Sequence, residues 1–107
     1  MSQFEIGLKN NKFISSECQK CKKLVWPPSE FCSVCFGKVT WREVSRGGKL
    51  IEFSKKEDEM FCIAEFENVI RIMGELKVGT KTPMIGQDLE LVKCDYDVYE
   101  KFIFQLK

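Results

Sequence analysis

Apolar and polar residues alternate with a period of two along most of the second half of this chain. Lys49-Leu50-Ile51-Glu52-Phe53-Ser54 reads as one strand. Met60 to Glu67 reads as a second, and Val69 to Leu76 as its mate through a tight turn at Asn68. Asp88 to Cys94 alternates strictly, which predicts one buried face and one wet face. Asp95-Tyr96-Asp97 is expected to turn the chain, and Tyr99 to Leu106 alternates again as the last strand. A charged loop at Lys55–Glu59 and a loop at Lys77–Gly86, marked by Gly79, Pro83 and Gly86, separate these segments. Hairpin-linked strands without a long helix predict a small closed barrel of the OB type, which is five-stranded. A small sandwich is the alternative. Gly74 inside a strand fits a bulge or a barrel bend.

The first half has a different pattern. Ser2 to Asn10 reads as a short helix, with Ser2 and Glu5 spaced as a capping box and Phe4 and Leu8 on one face. Asn10-Asn11 supplies a left-handed stop. A helix this short must dock on something to persist. Lys22 to Trp26 predicts a strand that Pro27-Pro28 ends by removing amide donors. Val39 to Val44 is rich in β formers and predicts another strand.

Between these strands stand Cys18-Gln19-Lys20-Cys21 and Cys32-Ser33-Val34-Cys35. A C-x-x-C turn points two thiolates the same way, so two turns complete a four-sulfur shell with metal–sulfur distances of roughly 2.3 Å. Cys18, Cys21, Cys32 and Cys35 are therefore the expected metal ligands. Gly37 is expected to let the chain turn out of the second knuckle. Two disulfides are the competing reading, but they belong to a secretory context, and Met1 to Glu5 lacks the basic and apolar regions of a signal peptide. A thioredoxin-like redox pair wants a βαβ pattern, which is not visible. Structural Zn²⁺ is the expected occupant; iron, as in a rubredoxin, is the alternative. Cys62 and Cys94 lie within strands and are expected to behave as small buried hydrophobes.

Composition narrows the functional classes. With 107 residues the chain predicts a short helix over 1–12, a ribbon over 13–45 and an OB domain over 46–107. No apolar run approaches the roughly 20 residues of a membrane span, and a cytoplasmic location is expected. The formal charge of +1 becomes −1 if four thiolates bind Zn²⁺, because four charges are lost and two gained. Nucleic-acid binding relies on clustered Lys and Arg, so it is the less favoured partner class. Lys9-Lys12 and Lys20-Lys22-Lys23 are the only basic stretches, and the barrel phenylalanines Phe53, Phe61, Phe66, Phe102 and Phe104 are better explained as core than as base-stacking platforms. The chain has no histidine, which removes the commonest general base. A fully thiolate-ligated zinc keeps no open position for substrate. The expectation is a protein that is not an enzyme by itself.

The ordered phrases Phe4-Glu5-Ile6-Gly7-Leu8, Val25-Trp26-Pro27-Pro28, Phe31-Cys32, Thr40-Trp41-Arg42-Glu43-Val44, Arg46-Gly47-Gly48-Lys49-Leu50 and Ile70 to Leu76 run nearly the length of the chain. In these the chain resembles the acyl-CoA-associated zinc-ribbon/OB-fold family, also called domain-of-unknown-function family thirty-five. It departs from the family pattern where a glycine follows each knuckle: Lys22 and Phe36 stand there, with Gly37 one place later. Ser29 stands where many members carry arginine, and the N-terminal helical region is short. The resemblance implies a rubredoxin-like zinc ribbon joined to an OB barrel. It also implies a non-catalytic accessory subunit that binds coenzyme A or acyl-CoA and a thiolase-like or other acyl-CoA enzyme. Coenzyme A carries phosphates that want Lys or Arg and an arm that wants an apolar slot. Arg46, Lys49 and Arg71 are the candidate phosphate partners, and Gly47-Gly48 the candidate point of close backbone approach. Two alternatives remain: a zinc-ribbon/OB nucleic-acid-binding module, and a rubredoxin-like electron carrier with iron.

Overall fold

A computed structural model describes residues 2–32 and 34–107. The chain opens with helix α1 (Gln3–Lys9). Ser2 caps it, its hydroxyl accepting from the Glu5 amide at 3.2 Å and donating to the Glu5 carboxylate at 3.1 Å. The helix ends in a Schellman motif: Lys12 N–H donates to Gly7 O at 2.8 Å and Asn11 N–H to Leu8 O at 2.9 Å. Asn11 takes the left-handed conformation this stop requires, with φ of 57°. The helix docks on the barrel, where Phe4 and Leu8 join the buried cluster.

Three strands follow: β1 (Ile14–Cys18), β2 (Leu24–Val25) and β3 (Val39–Glu43). They form an antiparallel sheet in the order β2-β1-β3. Its central strand, β1, was not expected, because Ile-Ser-Ser-Glu-Cys carries no β signature. Ser15 and Ser16 are fully buried there, and each is satisfied. Ser15 Oγ donates to Val25 O at 3.0 Å, and Ser16 Oγ accepts from the Ser29 amide at 3.1 Å. Short hydroxyls thus let β1 sit between two partners without an unpaired polar group.

The remaining strands are β4 (Gly47–Lys56), β5 (Glu59–Phe66), β6 (Ile70–Lys77), β7 (Asp88–Tyr96) and β8 (Glu100–Leu106). They close a barrel in the order β4-β5-β6-β8-β7. β6 and β8 pair in parallel, and the other neighbours are antiparallel. This is the five-stranded OB arrangement, not a sandwich. Closing it brings β8 hard against Gly74. A Cβ there would lie 2.5 Å from Phe102 O and 2.6 Å from the Phe104 ring. Gly74 pairs in register with Cys62, so its role is close approach and not a bulge.

Several local expectations change. The bulges fall between Leu50 and Glu52 and between Leu91 and Lys93. The second one breaks the alternation of β7, leaving Val92 and Lys93 both exposed. The charged loop shrinks to a tight turn at Glu57-Asp58, since strand pairing runs out to Lys56 and Glu59. The turn after β7 lies later than expected, because Asp95 and Tyr96 still pair with β8. The turn at Asn68 forms as expected, with Glu67 at φ 51° and Asn68 at φ 62° and a Val69 N–H bond to Phe66 O of 3.1 Å.

Ribbon and barrel share one core. Phe13 is 1% exposed and stands edge-on to Trp26, Phe66 and Phe102, with ring centroids 6.3, 5.6 and 5.6 Å away. Trp26 also packs edge-on against Phe4 at 5.7 Å. A polar strut lies beside them. Arg42 of β3 donates twice to Glu67 of the barrel, at 2.9 and 2.8 Å, and once to Glu17 of β1 at 3.0 Å. Phe66, Phe102 and Phe104 are core as expected, whereas Phe53 is exposed and Phe61 half-buried.

Phe13→Ala should lower unfolding stability by about 3–5 kcal/mol in a denaturant titration, the range for an aromatic removed from a core. The Arg42 guanidinium holds the Glu67 carboxyl below its ordinary 4.5. A depressed folded pKa adds stability above the unfolded pKa, and that stability is lost as pH falls through the folded value. Wild-type protein should therefore lose stability below roughly pH 4.5 more steeply than Glu67→Gln, compared by thermal melts across the acid range.

Candidate functional site

Both knuckles are built alike. In the first, Cys18 N–H donates to Lys23 O and Lys22 N–H to Cys18 O, each at 2.9 Å. In the second, Cys32 N–H donates to Gly37 O at 3.0 Å and Phe36 N–H to Cys32 O at 2.9 Å. Amides also point at sulfur: Cys21 N–H to Cys18 Sγ at 3.2 Å, and Val34 N–H to Cys32 Sγ at 3.4 Å. Such donors favour thiolate over thiol.

The Sγ atoms of Cys18, Cys21, Cys32 and Cys35 all lie within 4.8 Å of one another. Cys18 and Cys35 Sγ are 3.4 Å apart, and all these cysteines are free. Sulfurs at ~2.3 Å from a common ion stand about 3.8 Å apart in a tetrahedron. The residues therefore fit a closed four-thiolate zinc site, and their separation does not fit disulfides. The Cys21 amide draws the Cys18 thiol down to about 6, while its thiol neighbours push Cys21 up to about 12. A divalent cation is what allows all these thiols to be ionised together.

Leaving the knuckles requires an unusual backbone. Lys22 has φ of 61° and Phe36 has φ of 58°. Gly37 is not the turning residue. Its place is set by crowding, since a Cβ would sit 3.2 Å from Cys35 Sγ and 3.5 Å from Cys18 Sγ. A side chain there would press into the metal shell.

The other expected site residues are only partly brought together. Gly47, Gly48 and Lys49 line a cleft of about 310 Å³ at the barrel mouth. Arg46 and Arg71 are not among its lining residues. Carboxylates face this cleft: Glu65, Glu67 and Asp88, against Lys49 and Lys107. Lys49 is paired with Asp88, whose carboxyl it holds below its ordinary 3.8, and Arg71 is paired with Glu65 at 2.9 Å. Arg46 donates to Leu91 O at 3.3 Å and to Asn11 O, so it ties the end of α1 to β7. Gly48 is filled from within the fold, because a Cβ would meet Phe66 and Glu65 O, each at 2.7 Å. Cys62 and Cys94 are buried, and burial pushes the Cys62 thiol up to about 11 and raises that of Cys94.

A second cleft, of about 270 Å³, lies where ribbon, helix and barrel meet. Phe4, Trp26, Pro27, Ile72, Met73 and Phe102 line it, with Glu100 at its edge. Sequence reasoning missed it. Trp26 and the double proline carried the signal, but their neighbours come from strands far along the chain.

Comparison with known proteins bears on both halves. Residues 7–40 match the family model described as ChsH2, rubredoxin-like zinc ribbon domain. The solved Ltp2-ChsH2(DUF35) aldolase contains a chain that superimposes with a TM-score of 0.74 at 15% identity, covering 99% of this chain and 96% of that one. A DUF35-family protein of unknown function from Sulfolobus solfataricus gives a TM-score of 0.68 at 19% identity, over 98% and 83% of the two chains. Among curated proteins none matches by sequence. No helix among the described residues is long and apolar enough to cross a membrane.

Cys32→Ser should abolish stoichiometric zinc, measured by elemental mass spectrometry, and should collapse amide protection in residues 14–43 ahead of the barrel strands. A ribbon still protected without metal would contradict the cage as its staple.

Proposed function

We propose that this chain, a DUF35-type protein whose ribbon belongs to the ChsH2 rubredoxin-like zinc-ribbon family, is a non-catalytic accessory subunit of an acyl-CoA enzyme of the thiolase or aldolase kind. The observation that carries the reading is the fold likeness to the Ltp2-ChsH2(DUF35) aldolase, which extends over nearly all of both chains. The residues of the chain support it. It has no histidine, and its thiols outside the cage are buried. The four cysteines suit a metal with no position left for substrate. Zinc bound there supplies fold, holding two turns at a fixed separation.

The reading extends to coenzyme A at the barrel mouth, with Lys49 and the Gly47-Gly48 backbone in the cleft and Arg71, outside its lining but paired with the lining Glu65, as a second phosphate partner. Both cations are exposed and already paired, Lys49 with the exposed Asp88 and Arg71 with the half-buried Glu65. Such pairs are worth about 0–1 kcal/mol, which a charge-assisted bond to phosphate can exceed. Arg46 is less available, because it already donates to Leu91 O and Asn11 O and so helps to tie the end of α1 to β7. The carboxylates of the cleft repel phosphate, so coenzyme A should bind weakly to the isolated chain and more tightly when an enzyme partner adds cations.

Affinity purification of the tagged protein from its source cells should retain a thiolase- or aldolase-type enzyme together with zinc. The isolated chain should leave acyl-CoA thioesters intact when they are followed by thiol release. Nucleic acid retained at moderate salt, or thioester cleavage by the chain alone, would overturn the reading.

A further inference from the structure

The left-handed exit from the second knuckle is occupied by a residue that the fold does not call for. Phe36 holds φ of 58° while 79% of its surface is exposed. A bulky side chain is a poor occupant of the left-handed region, and glycine is the residue that takes it without strain. Lys22, the equivalent residue of the first knuckle, is a flexible polar side chain. Phe36 instead offers solvent an aromatic ring that serves no core. Such an outlier points outward, to function.

It is not alone. Phe31 and Val34 belong to the same loop, closed by the Phe31–Lys38 bridge, and are 55% and 70% exposed. Charge surrounds the loop. Lys20 reaches its edge, where its Cβ would lie 3.6 Å from a Cβ on Gly37, and Gln19 N–H donates to Lys38 O at 3.1 Å. Lys20, Lys22, Lys23 and Lys38 are all exposed, and none is in a salt bridge among the described residues. Glu30 is the only acid between Gln19 and Lys38. With zinc bound the cage is dianionic, and these four lysines outweigh it even together with Glu30. An apolar tip flanked by Lys20 and Lys38, with Lys22 and Lys23 on the facing knuckle, complements an apolar pocket rimmed by carboxylates. Metal ligation by Cys32 and Cys35 would tie the base of this loop beforehand, which lowers the ordering cost of docking.

We propose that the second-knuckle tip, centred on Phe36 with Phe31 and Val34, is the anchor by which this chain docks into an apolar, acid-rimmed pocket on its enzyme partner. This rests on the accessory-subunit reading and names the surface that reading requires.

Phe36→Gly is the diagnostic variant, because it removes the ring and relieves the backbone together. Wild-type protein, Phe36→Gly and a Val98→Ser control in the exposed turn between β7 and β8 would be titrated calorimetrically against the enzyme co-purified with wild type. The proposal expects Phe36→Gly to melt at or above the wild-type temperature, to keep its zinc, and yet to bind at least about tenfold more weakly. Val98→Ser should bind like wild type. A photoreactive phenylalanine analogue at position 36 should crosslink to that enzyme in the assembled complex. Unchanged affinity of Phe36→Gly for a partner that wild type binds would overturn the anchor and leave the accessory-subunit reading standing. If no enzyme co-purifies, both fall. Vesicles containing phosphatidylserine and a single-stranded oligonucleotide serve as further probes. Binding of either that Phe36→Gly abolishes would reassign the tip to that surface and overturn a protein pocket.

Discussion

The ribbon cannot hold itself together by burying apolar surface. Its own cluster consists of Cys18, Val25 and Cys32, with Cys21, Cys35 and Val39 packed at the margin. Most of those residues are the metal ligands, and only valines supply ordinary aliphatic contact. A module with so little core needs a cross-link to pay the entropy of ordering its loops. Four thiolates converging on one ion provide it, because metal binding in such a site is folding free energy. The details around the cage follow from that need. Amides point at sulfur, residues beyond each knuckle accept a left-handed backbone, and Gly37 is kept bare where a Cβ would crowd Cys35 Sγ.

The barrel answers a different constraint and has its own apolar core, which it lends to the ribbon at one end. Phe13 enters that core from the chain just before β1, with Trp26 lying across it from the strand pair. Arg42 and Glu67 bond β3 to the barrel's β5–β6 turn, and Asn11 binds both the Cys94 amide, at 2.9 Å, and Arg46. Ribbon and barrel are thereby joined through aromatic packing and charge-assisted bonds, not by a linker alone. The metal end of the ribbon stands free of this junction, which leaves its tip available to another molecule.

Periodicity and spacing revealed much of this arrangement. The C-x-x-C repeats named the sulfurs that converge, and alternation located all the barrel strands to within a few residues. What the sequence concealed has physical causes. β1 is built on buried serines whose partners are backbone groups contributed by later residues, so no hydrophobic pattern marks it. Bulges shift the alternation of β4 and β7 in response to barrel closure, which is a property of the whole sheet. Gly37 drew attention as a turning residue, but the left-handed position belongs to Phe36, and the glycine lies where a Cβ would press on Cys35 Sγ. The cations singled out for phosphate were visible, while the groups that occupy them were not: Asp88 reaches Lys49 from a distant strand, Glu65 faces Arg71 across the β5–β6 hairpin, and carbonyls take Arg46. Family resemblance supplied the partner class, which no spacing in the chain could have shown.

X-ray absorption at the zinc edge of the purified protein tests the central claim most directly. The account predicts a first shell of four sulfurs at about 2.3 Å with no lighter scatterer. A shell containing oxygen or nitrogen, fewer than four sulfurs, or an oxidised protein with sulfur–sulfur bonds and no metal would contradict it.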